Sequence, residues 1–327
     1  MERPRTRRLK RSILWMFLAG AVVAAFLAGV VFGSLRGVPF VKKYQDWSIG
    51  VLVGETPFSL HPQAGVENPV LRASDLDDMN ALFVADPFLL RCAEGYVVFF
   101  EALNRRDGKG DIAFATSPDG LRWTYGGIAL DEPFHLSYPC VVDESGTAYM
   151  VPESVEAMGV FLYRAERFPE EWVRARVLIR GRYVDPTLTY RAGRWWLFVG
   201  EPENDVLRLF SAPSLADRFV EHPDSPLVLG TRASARPGGR VLSFDGRLFR
   251  CAQDGGRVYG ERVRVFEIVR LDPERYEEVE VSGTLGPTGS GWNAAGMHHL
   301  DALEIEPGRW LAVADGWSRW RLSFGSP

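Results

Sequence analysis

Polar side chains stand at the entrances to several apolar segments of this chain, and some are of types that perform acid–base chemistry. Asp86 and Asp185 each precede a proline and an apolar run, and Tyr138 holds the same place in the stretch HLSYPCVV. Carboxylates also close several apolar runs, namely Glu101, Glu153, Glu201 and Asp315. Two carboxyl groups can hydrolyse a glycoside when one is a protonated acid and the other a base. Carboxylates also accept hydrogen bonds from sugar hydroxyls.

Two interpretations of these residues compete. As a catalytic pair, Asp86 would be the base and Glu153 or Glu201 the acid. As structural groups, the aspartates would start turns, because Asp-Pro and Tyr-Pro are common turn openings. The glutamates would then pair with arginines or backbone donors. Any one of these positions, taken alone, favours the structural interpretation. The choice between a catalytic and a structural set therefore depends on the elements that position these residues.

A module repeats along the chain after residue 80, and each copy reads as a β-hairpin. A polar residue, usually followed by proline, precedes a short apolar run, a Gly-bearing turn and a second apolar run. The copies begin about 50 residues apart, which is the length of a propeller blade. They are DPFLLRCAEGYVVFFE, YPCVVDESGTAYMVPE, DPTLTYRAGRWWLFVGE, RPGGRVLSFDGRLFRCAQD and HLDALEIEPGRWLAVAD.

Five copies predict an all-β chain folded as a five-bladed β-propeller. Further strand-like runs follow the hairpins, so each unit supplies three or four strands. The fifth copy lacks strands at its end, and the segment WSIGVLVGETPFSL (47–60) is predicted to supply its outer strand. Such closure would remove an exposed sheet edge. A β-sandwich is the alternative, but it does not predict five evenly spaced copies.

A propeller brings equivalent positions of its blades together at one mouth of the central channel. We therefore expect the starts of the five hairpins to converge, namely Asp86, Tyr138, Asp185, Arg236 and the group His298, His299 and Asp301. Aromatic rings suit the apolar faces of sugars, and Arg236 suits a ligand carboxylate or phosphate. An aromatic among acids favours a site that holds a sugar over one that cleaves it.

Other chemistries lack their motifs. The chain has no GxSxG, HExxH or P-loop sequence. Its three cysteines are far apart and imply neither a disulfide framework nor a zinc site. Adjacent strand residues point to opposite faces, so His298 and His299 do not predict a shared metal site. We expect no cofactor and no bound metal.

The first 12 residues carry six basic residues and one acid, and residues 13–35 follow without a charge. Twenty-three apolar residues rise about 34 Å as a helix, enough for a hydrocarbon core of about 30 Å. The basic cluster predicts a cytoplasmic N-terminus, so residues 1–12 form a tail, 13–35 a transmembrane anchor, 36–46 a linker and 47–327 an extracytoplasmic propeller. A cleaved signal peptide is the alternative. The remainder is more acidic than the whole-chain net charge of −4, which argues against a nucleic-acid partner.

Three stretches carry a family resemblance. HLSYPCVV with YMVPES, then ARPGGRVLSFDGRLFRCAQD, and then WNAAGMHHLDALEIEPGRWLAVADG resemble the N-terminal domain of plant glucosamine inositolphosphorylceramide transferases. Bacterial relatives occur near or fused to formyltransferase-like modules, and the domain is similar to the arabinanase-like five-bladed glycoside hydrolases. The likeness covers about Trp47 to Gly316.

The resemblance implies a setting in glycolipid or cell-surface polysaccharide biosynthesis and a set of ligand-binding positions. Carried onto this sequence, these are Asp86, His135, Ser137, Tyr138, Glu153, Asp185, Arg236, Gln253, Asp254, Tyr259, His298, His299 and Asp301. In the plant proteins a separate glycosyltransferase domain carries the transfer, and we expect this chain to lack it. A partner glycosyltransferase or formyltransferase is therefore expected.

Three functions remain open. The first is a membrane-anchored propeller that binds a glycan or glycolipid head group in an accessory role. The second is a glycoside hydrolase-like enzyme, and the third is a non-catalytic scaffold for a partner protein.

Overall fold

A computed structural model of the chain describes residues 15–29 and 41–324. It divides into two units. One is a propeller from Gln45 to Arg319, and the other is formed by the chain segments that precede and follow the propeller in sequence.

The first three strands are β1 (Val41–Gln45), β2 (Ser48–Gly54) and β3 (Leu60–His61). Blade I consists of β4 (Ala81–Cys92), β5 (Gly95–Asn104), β6 (Gly110–Ser117) and β7 (Thr124–Leu130). Blade II consists of β8 (Ser137–Glu144), β9 (Thr147–Glu153), β10 (Gly159–Arg167) and β11 (Glu171–Arg180). Blade III consists of β12 (Val184–Arg191), β13 (Arg194–Gly200), β14 (Val206–Ala212), β15 (Val220–Glu221) and β16 (Val228–Leu229).

Blade IV consists of β17 (Leu242–Phe244), β18 (Arg247–Asp254), β19 (Arg262–Leu271) and β20 (Tyr276–Leu285). Blade V combines β21 (Leu300–Glu306) and β22 (Arg309–Gly316) with β2 and β3. The last strand, β23 (Trp320–Phe324), pairs with β1 in a two-stranded sheet of the second unit. Short 3-10 turns cover Ala73–Asp75, Val155–Ala157 and Gly291–Asn293. The predicted five-bladed propeller is confirmed.

The inner hairpins follow from turn chemistry. In blades II, III and IV the two central turn residues both have positive φ: Ser145–Gly146, Ala192–Gly193 and Asp245–Gly246. Two successive positive φ angles define a type I′ turn, whose twist matches that of the flanking strands. The Gly-bearing turns of the repeat therefore connect the antiparallel strands through two-residue loops.

Strand β2 closes the ring, as predicted. It pairs along its length with β22, from Ser48 opposite Gly316 to Gly54 opposite Trp310. Strand β3 then pairs with β2 and forms the outer edge of the blade. Every residue of β2 is buried, because this strand lies inside the sheet of blade V, between β22 and β3, and not at a free edge.

The apolar core lies between neighbouring blades. One buried cluster joins side chains of blades I, II and III, including Phe99, Cys140 and Leu197. A second joins blade V to blade I through Ile49 and Val98, among others. Each sheet thus packs both faces against its neighbours, so its strands read as nearly continuous apolar runs.

The apolar segment near the N-terminus forms a helix over residues 15–29. The rest of the predicted anchor, residues 13–14 and 30–35, and the basic tail lie outside the described residues. Within the described ranges, no helix has both the length and the apolar character needed to cross a membrane.

Candidate functional site

Three hairpin entrances share an unusual backbone conformation. Asp86, Tyr138 and Asp185 have φ angles of 53°, 45° and 49°, in the left-handed region that costs a non-Gly residue about 1–3 kcal/mol. Each precedes proline, and a break in strand register follows at the same place in blades I, II and III. Such strain persists only where surrounding contacts determine it. Each of these side chains makes contacts with other blades.

Asp185 forms the most heavily bonded group. Arg236 donates from Nε to Asp185 Oδ2 at 2.5 Å and from Nη2 to Oδ1 at 3.0 Å. Gln253 Nε2 donates to the same Oδ2 at 2.6 Å. Nη1 donates to Asn204 Oδ1 at 3.1 Å, and Nη2 also reaches Glu153 Oε2 at 3.4 Å. Blades II, III and IV therefore meet around one guanidinium, which compensates two buried carboxyl groups.

A second group joins blade I to blade V. The Asp86 amide donates to Asp315 Oδ2 at 3.0 Å, and the amides of His298 and His299 donate to Asp315 Oδ1 at 3.0 Å each. His298 Nδ1 lies 2.6 Å from Asp315 Oδ2. Asp86 Oδ1 lies 3.8 Å from His298 Nε2 and 3.7 Å from His299 Nδ1. The expectation that the two histidines face apart is wrong, because they precede strand β21 and have no strand alternation.

The pKa values of this group are shifted in opposite directions. Burial raises the pKa of Asp86 to about 7, and the nearby His298 only partly offsets that rise. Burial by itself would lower the pKa of His298, but the Asp315 carboxylate outweighs it and the pKa rises. Burial lowers the pKa of His299 to about 4. The raised pKa of His298 favours its pairing with the Asp315 carboxylate, whereas the lowered pKa of His299 favours its neutral form.

Two glutamates add carboxyl groups that favour the protonated form. Burial, followed by the charges of neighbouring carboxylates, raises the pKa of Glu101 and of Glu153 well above the usual range. The side chains of Glu101 and Glu153 are each 8% exposed and that of Asp86 is 6% exposed, whereas that of Asp185 has no exposed surface. His135 accepts from the Gly110 amide through Nδ1 and places Nε2 3.6 Å from Glu101 Oε1. Solvent therefore reaches a narrow floor of three carboxyl groups.

Tyr259 lies near this floor and, at 40%, is the most exposed of the predicted site residues. The Arg236 guanidinium carbon is 5.5 Å from the centre of its ring. The ring also meets His298 edge-on at 5.2 Å, and His298 stacks on Trp47 with centroids 4.0 Å apart. An exposed aromatic beside carboxylates and a guanidinium suits the apolar face and hydroxyl groups of a sugar.

Tyr138 does not belong to this accessible group. It has no exposed surface, and its ring packs edge-on against Phe88 and His299. Its hydroxyl lies 2.7 Å from Thr187 Oγ1, donates to the Gly239 carbonyl and accepts from the Gly239 amide. The expected sugar-stacking role does not fit this placement, because both ring faces are in the protein interior.

Asp301 is also interior. Arg240 donates to both of its oxygens, at 2.8 and 3.1 Å, and the Leu89 amide donates to Oδ2 at 2.6 Å. The same guanidinium donates to the carbonyls of Val141 and Leu89. The pair therefore crosses the interior between blades and is a structural cross-link.

Three further candidates lie beside the site or apart from it. Glu201 accepts from Arg208 Nε at 2.6 Å within blade III, so it does not fit the role of catalytic acid. Asp254 caps a turn by accepting from the Gly256 amide. Ser137 is buried, with its backbone opposite Glu153.

Sequence inspection missed four residues that bond to or pack on the predicted ones: Trp47, Thr187, Asn204 and Arg240. Trp47 precedes the strand that closes the ring, and Arg240 follows the fourth hairpin's two glycines. Neither stands at a repeated position, so the repeat carries no signal for them. Asn204 lies in a turn with φ of 64°, a conformation that asparagine tolerates better than most residues.

One group has donors suited to a cation. Asp86, His298 and Asp315 each offer an atom within 4.8 Å of the others. Among the described residues, Asp86 Oδ1 and both ring nitrogens of His299 lack a hydrogen-bond partner. His298 Nδ1 already lies 2.6 Å from Asp315 Oδ2, so a cation bound by this group would compete with that contact.

Comparison with known proteins gives this geometry a family. Residues 42–317 match the family described as glucosamine inositolphosphorylceramide transferase 1, N-terminal. The chain belongs to this family.

The curated relatives are longer plant proteins. Glucosamine inositolphosphorylceramide transferase 1 of Arabidopsis thaliana is 37% identical over 296 residues, which cover 83% of this chain and 39% of the plant protein. The protein of that name from Oryza sativa subsp. japonica is 36% identical over 342 residues, with 94% and 46% covered. The chain therefore spans less than half of either relative.

Solved structures share the fold at low sequence identity. The α-L-arabinofuranosidase of Podospora anserina in complex with cellotriose aligns with a TM-score of 0.57 at 13% identity, over 83% of this chain and 97% of that one. A putative glycoside hydrolase of Parabacteroides distasonis aligns with a TM-score of 0.54 at 14% identity, over 83% and 100%. The propeller is glycoside hydrolase-like in fold.

Proposed function

We propose that the propeller binds the sugar portion of a glycan or glycolipid head group at its channel mouth. The observation that carries the proposal is the floor of Asp86, Glu101 and Glu153 beside Arg236, with the exposed ring of Tyr259 near it. Protonated carboxyls donate and accept hydrogen bonds, and the guanidinium adds a charged donor. The ring of Tyr259 supplies an apolar surface on which the apolar face of a sugar can stack. In this proposal the role is accessory to glycolipid or cell-surface polysaccharide biosynthesis.

Titration of the purified full-length chain with a glycan panel tests this proposal. Tyr259→Ala should weaken binding about tenfold, since an aromatic contact contributes about 0.5–1.5 kcal/mol beyond the area that it buries. Tyr190→Ala is the matched control, because Tyr190 is also an exposed tyrosine. It lies near the end of strand β12, whereas Asp185 of the channel mouth lies at the start of that strand. Equal losses in the two variants, or no binding by the parent protein, would reject the sugar site.

Hydrolysis is the second candidate, and the raised pKa of Glu153 favours it. A carboxyl that keeps its proton near neutral pH can give it to the leaving oxygen of a glycoside. Asp86 would take a proton from the water that attacks the anomeric carbon. Glu153→Gln should then abolish release of free sugar while binding persists. If the parent protein binds glycans and releases no free sugar, hydrolysis is rejected and only the binding role stands.

We also propose that a lipid bilayer surrounds the apolar N-terminal segment. Every residue of the helix over 15–29 is exposed, including Trp15, Phe17, Val22 and Phe26. A helix that is apolar on all sides is stable only when something apolar covers it. The basic residues before it favour a cytoplasmic N-terminus. A reporter fused after Pro327 should be active only outside the cytoplasm.

The transferase named in the plant relatives suggests a partner. In this proposal a separate glycosyltransferase or formyltransferase acts on the head group that the propeller holds. Crosslinking of the full chain in its native membrane should capture such an enzyme. Recovery of the propeller alone would favour independent binding.

A further inference from the structure

The two-stranded sheet of β1 and β23 has the composition of a membrane-surface element. Its ten residues, VKKYQ and WRLSF, include three basic residues and three aromatics but no acid. Trp320 is 45% exposed and Leu322 is 56% exposed. Lys43 Nζ lies 4.3 Å from the centre of the Trp320 ring. We name this sheet the terminal ribbon.

The side chains of the ribbon suit the boundary between lipid and water. Residues two apart on a strand share a face, so Trp320 and Leu322 present adjoining apolar surface. Tryptophan places its ring at the level of lipid head groups, and lysine keeps its charge in water while its stem covers apolar surface. Basic residues near a membrane surface are attracted to anionic lipids.

The ribbon joins the propeller beside the candidate site. Gln45, the last residue of β1, donates from Nε2 to the carbonyl of Tyr259 at 2.9 Å. Asp46 accepts from the amides of Ser318 and Arg319, so the chain enters and leaves the propeller at the same place. A strand rises about 3.4 Å per residue, so the five-residue strand β1 keeps every part of itself within about 17 Å of this point. That limit is covalent and holds for any orientation of the ribbon.

We infer that the terminal ribbon binds an anionic lipid surface and holds the channel mouth within reach of membrane-borne head groups. The inference rests on the proposed function for the lipid segment and narrows the proposed ligand to a head group still attached to its membrane. Charge complementarity and the short connection to residues 13–35 select a bilayer over another occupant. A free soluble glycan would not need the mouth near lipid.

Lipid quenching of a fluorophore on the ribbon tests this inference in the full-length chain reconstituted in nanodiscs. Leu322→Cys places the label on the ribbon, and Val269→Cys, an exposed apolar position on strand β19 of blade IV, is the control. Both are made with Cys92→Ser, because Cys92 is partly exposed while Cys140 and Cys251 are buried. Brominated anionic lipid should quench residue 322 several-fold more than residue 269.

Charge provides a second readout. Raising the salt from about 0.1 to 1 M shortens the Debye length from about 10 to 3 Å, so quenching at residue 322 should fall. Lys43→Glu should lower it at low salt. Equal quenching at residues 322 and 269 would overturn the inference. So would self-quenching between labelled copies without lipid quenching, which would indicate a second copy as the occupant. Glycan affinity is measured separately, so loss of the sugar site would not mimic either result.

Discussion

At the scale of single residues, burial decides what each carboxyl group of the channel can do. Asp185 is neutralised by a bidentate arginine, whereas Asp86 has two imidazoles near one oxygen and no hydrogen bond to it within the described structure. The desolvated carboxyl therefore holds its proton to a higher pH. The same residue type has different electrostatic surroundings at two equivalent positions.

The pKa of Asp86 predicts how stability changes with pH. The group ionises near pH 4 when unfolded and near pH 7 when folded, so the folded protein binds more protons between these values. The free energy of unfolding should therefore fall as pH rises from about 4 to 7. Asp86→Asn should flatten that slope, and asparagine tolerates the left-handed backbone there.

Urea unfolding measured across this pH range checks the prediction. Glu166→Gln, a change at an exposed carboxylate, should leave the slope unaltered. His298 contributes a slope of the same sign, because its raised pKa stabilises the protein below the unfolded value and that stabilisation is lost as pH rises. An unchanged slope in Asp86→Asn would show that Asp86 does not titrate in this window.

At the scale of elements, the strained entrances of the inner strands set the direction of the key side chains. The bulge and positive φ before each proline place Asp86, Tyr138 and Asp185 in contact with other blades. The proline removes an amide donor at the bulge, where the strand register is already interrupted. The same local motif thus places a carboxyl group without a hydrogen bond to Oδ1 in one blade and a fully hydrogen-bonded carboxylate in another.

Tyr138→Phe should destabilise the propeller by about 1–3 kcal/mol, the cost of leaving a buried amide unsatisfied. The Gly239 amide donates to the Tyr138 hydroxyl, and phenylalanine offers no acceptor. Glycan affinity should stay within about twofold of the parent, since a twofold change is only about 0.4 kcal/mol and the ring is not exposed. Chemical denaturation and glycan titration measure the two effects. A lost affinity with unchanged stability would restore the sugar-stacking interpretation.

At the scale of the whole molecule, two devices hold the ring of blades together. One is the N-terminal strand β2, which fills the middle of blade V. The other is Arg240, which bonds to Asp301 of blade V and to backbone carbonyls of blades I and II. Because these contacts cross the interior, their loss should affect every blade.

Arg240→Met should reduce the free energy of unfolding by about 3–5 kcal/mol, because it leaves a buried carboxylate uncompensated. The double variant Arg240→Met with Asp301→Leu should recover part of the loss, since no unpaired charge remains. Recovery stays partial because the Leu89 amide also donates to Asp301. Urea unfolding of both variants measures this, and a double variant no more stable than the single one would contradict the ion-pair explanation.

Much of this architecture is determined locally and is therefore visible in the sequence. Alternating and apolar runs with Gly-bearing turns predict hairpins, and five evenly spaced copies predict five blades and the closing strand over 47–60. The convergence of Asp86, Asp185 and Arg236 follows from the symmetry of the repeat. Each of these conclusions needs only the repeat period and the position within the repeat. Most strands pair with the next strand in sequence, and the blades follow one another in sequence order.

Only the tertiary structure decided which converging residues solvent reaches and what each one bonds to. Tyr138 and Asp301 occupy repeat-equivalent positions yet are buried, while Tyr259, from a loop, is exposed. Glu201 matches Glu153 in sequence but pairs with Arg208 instead of Arg236. The physical reason is that burial and pairing depend on distances between blades, which arise from side chains far apart in the chain. Repeat position therefore identified the neighbourhood of the site, and packing across the channel assigned the role of each residue within it.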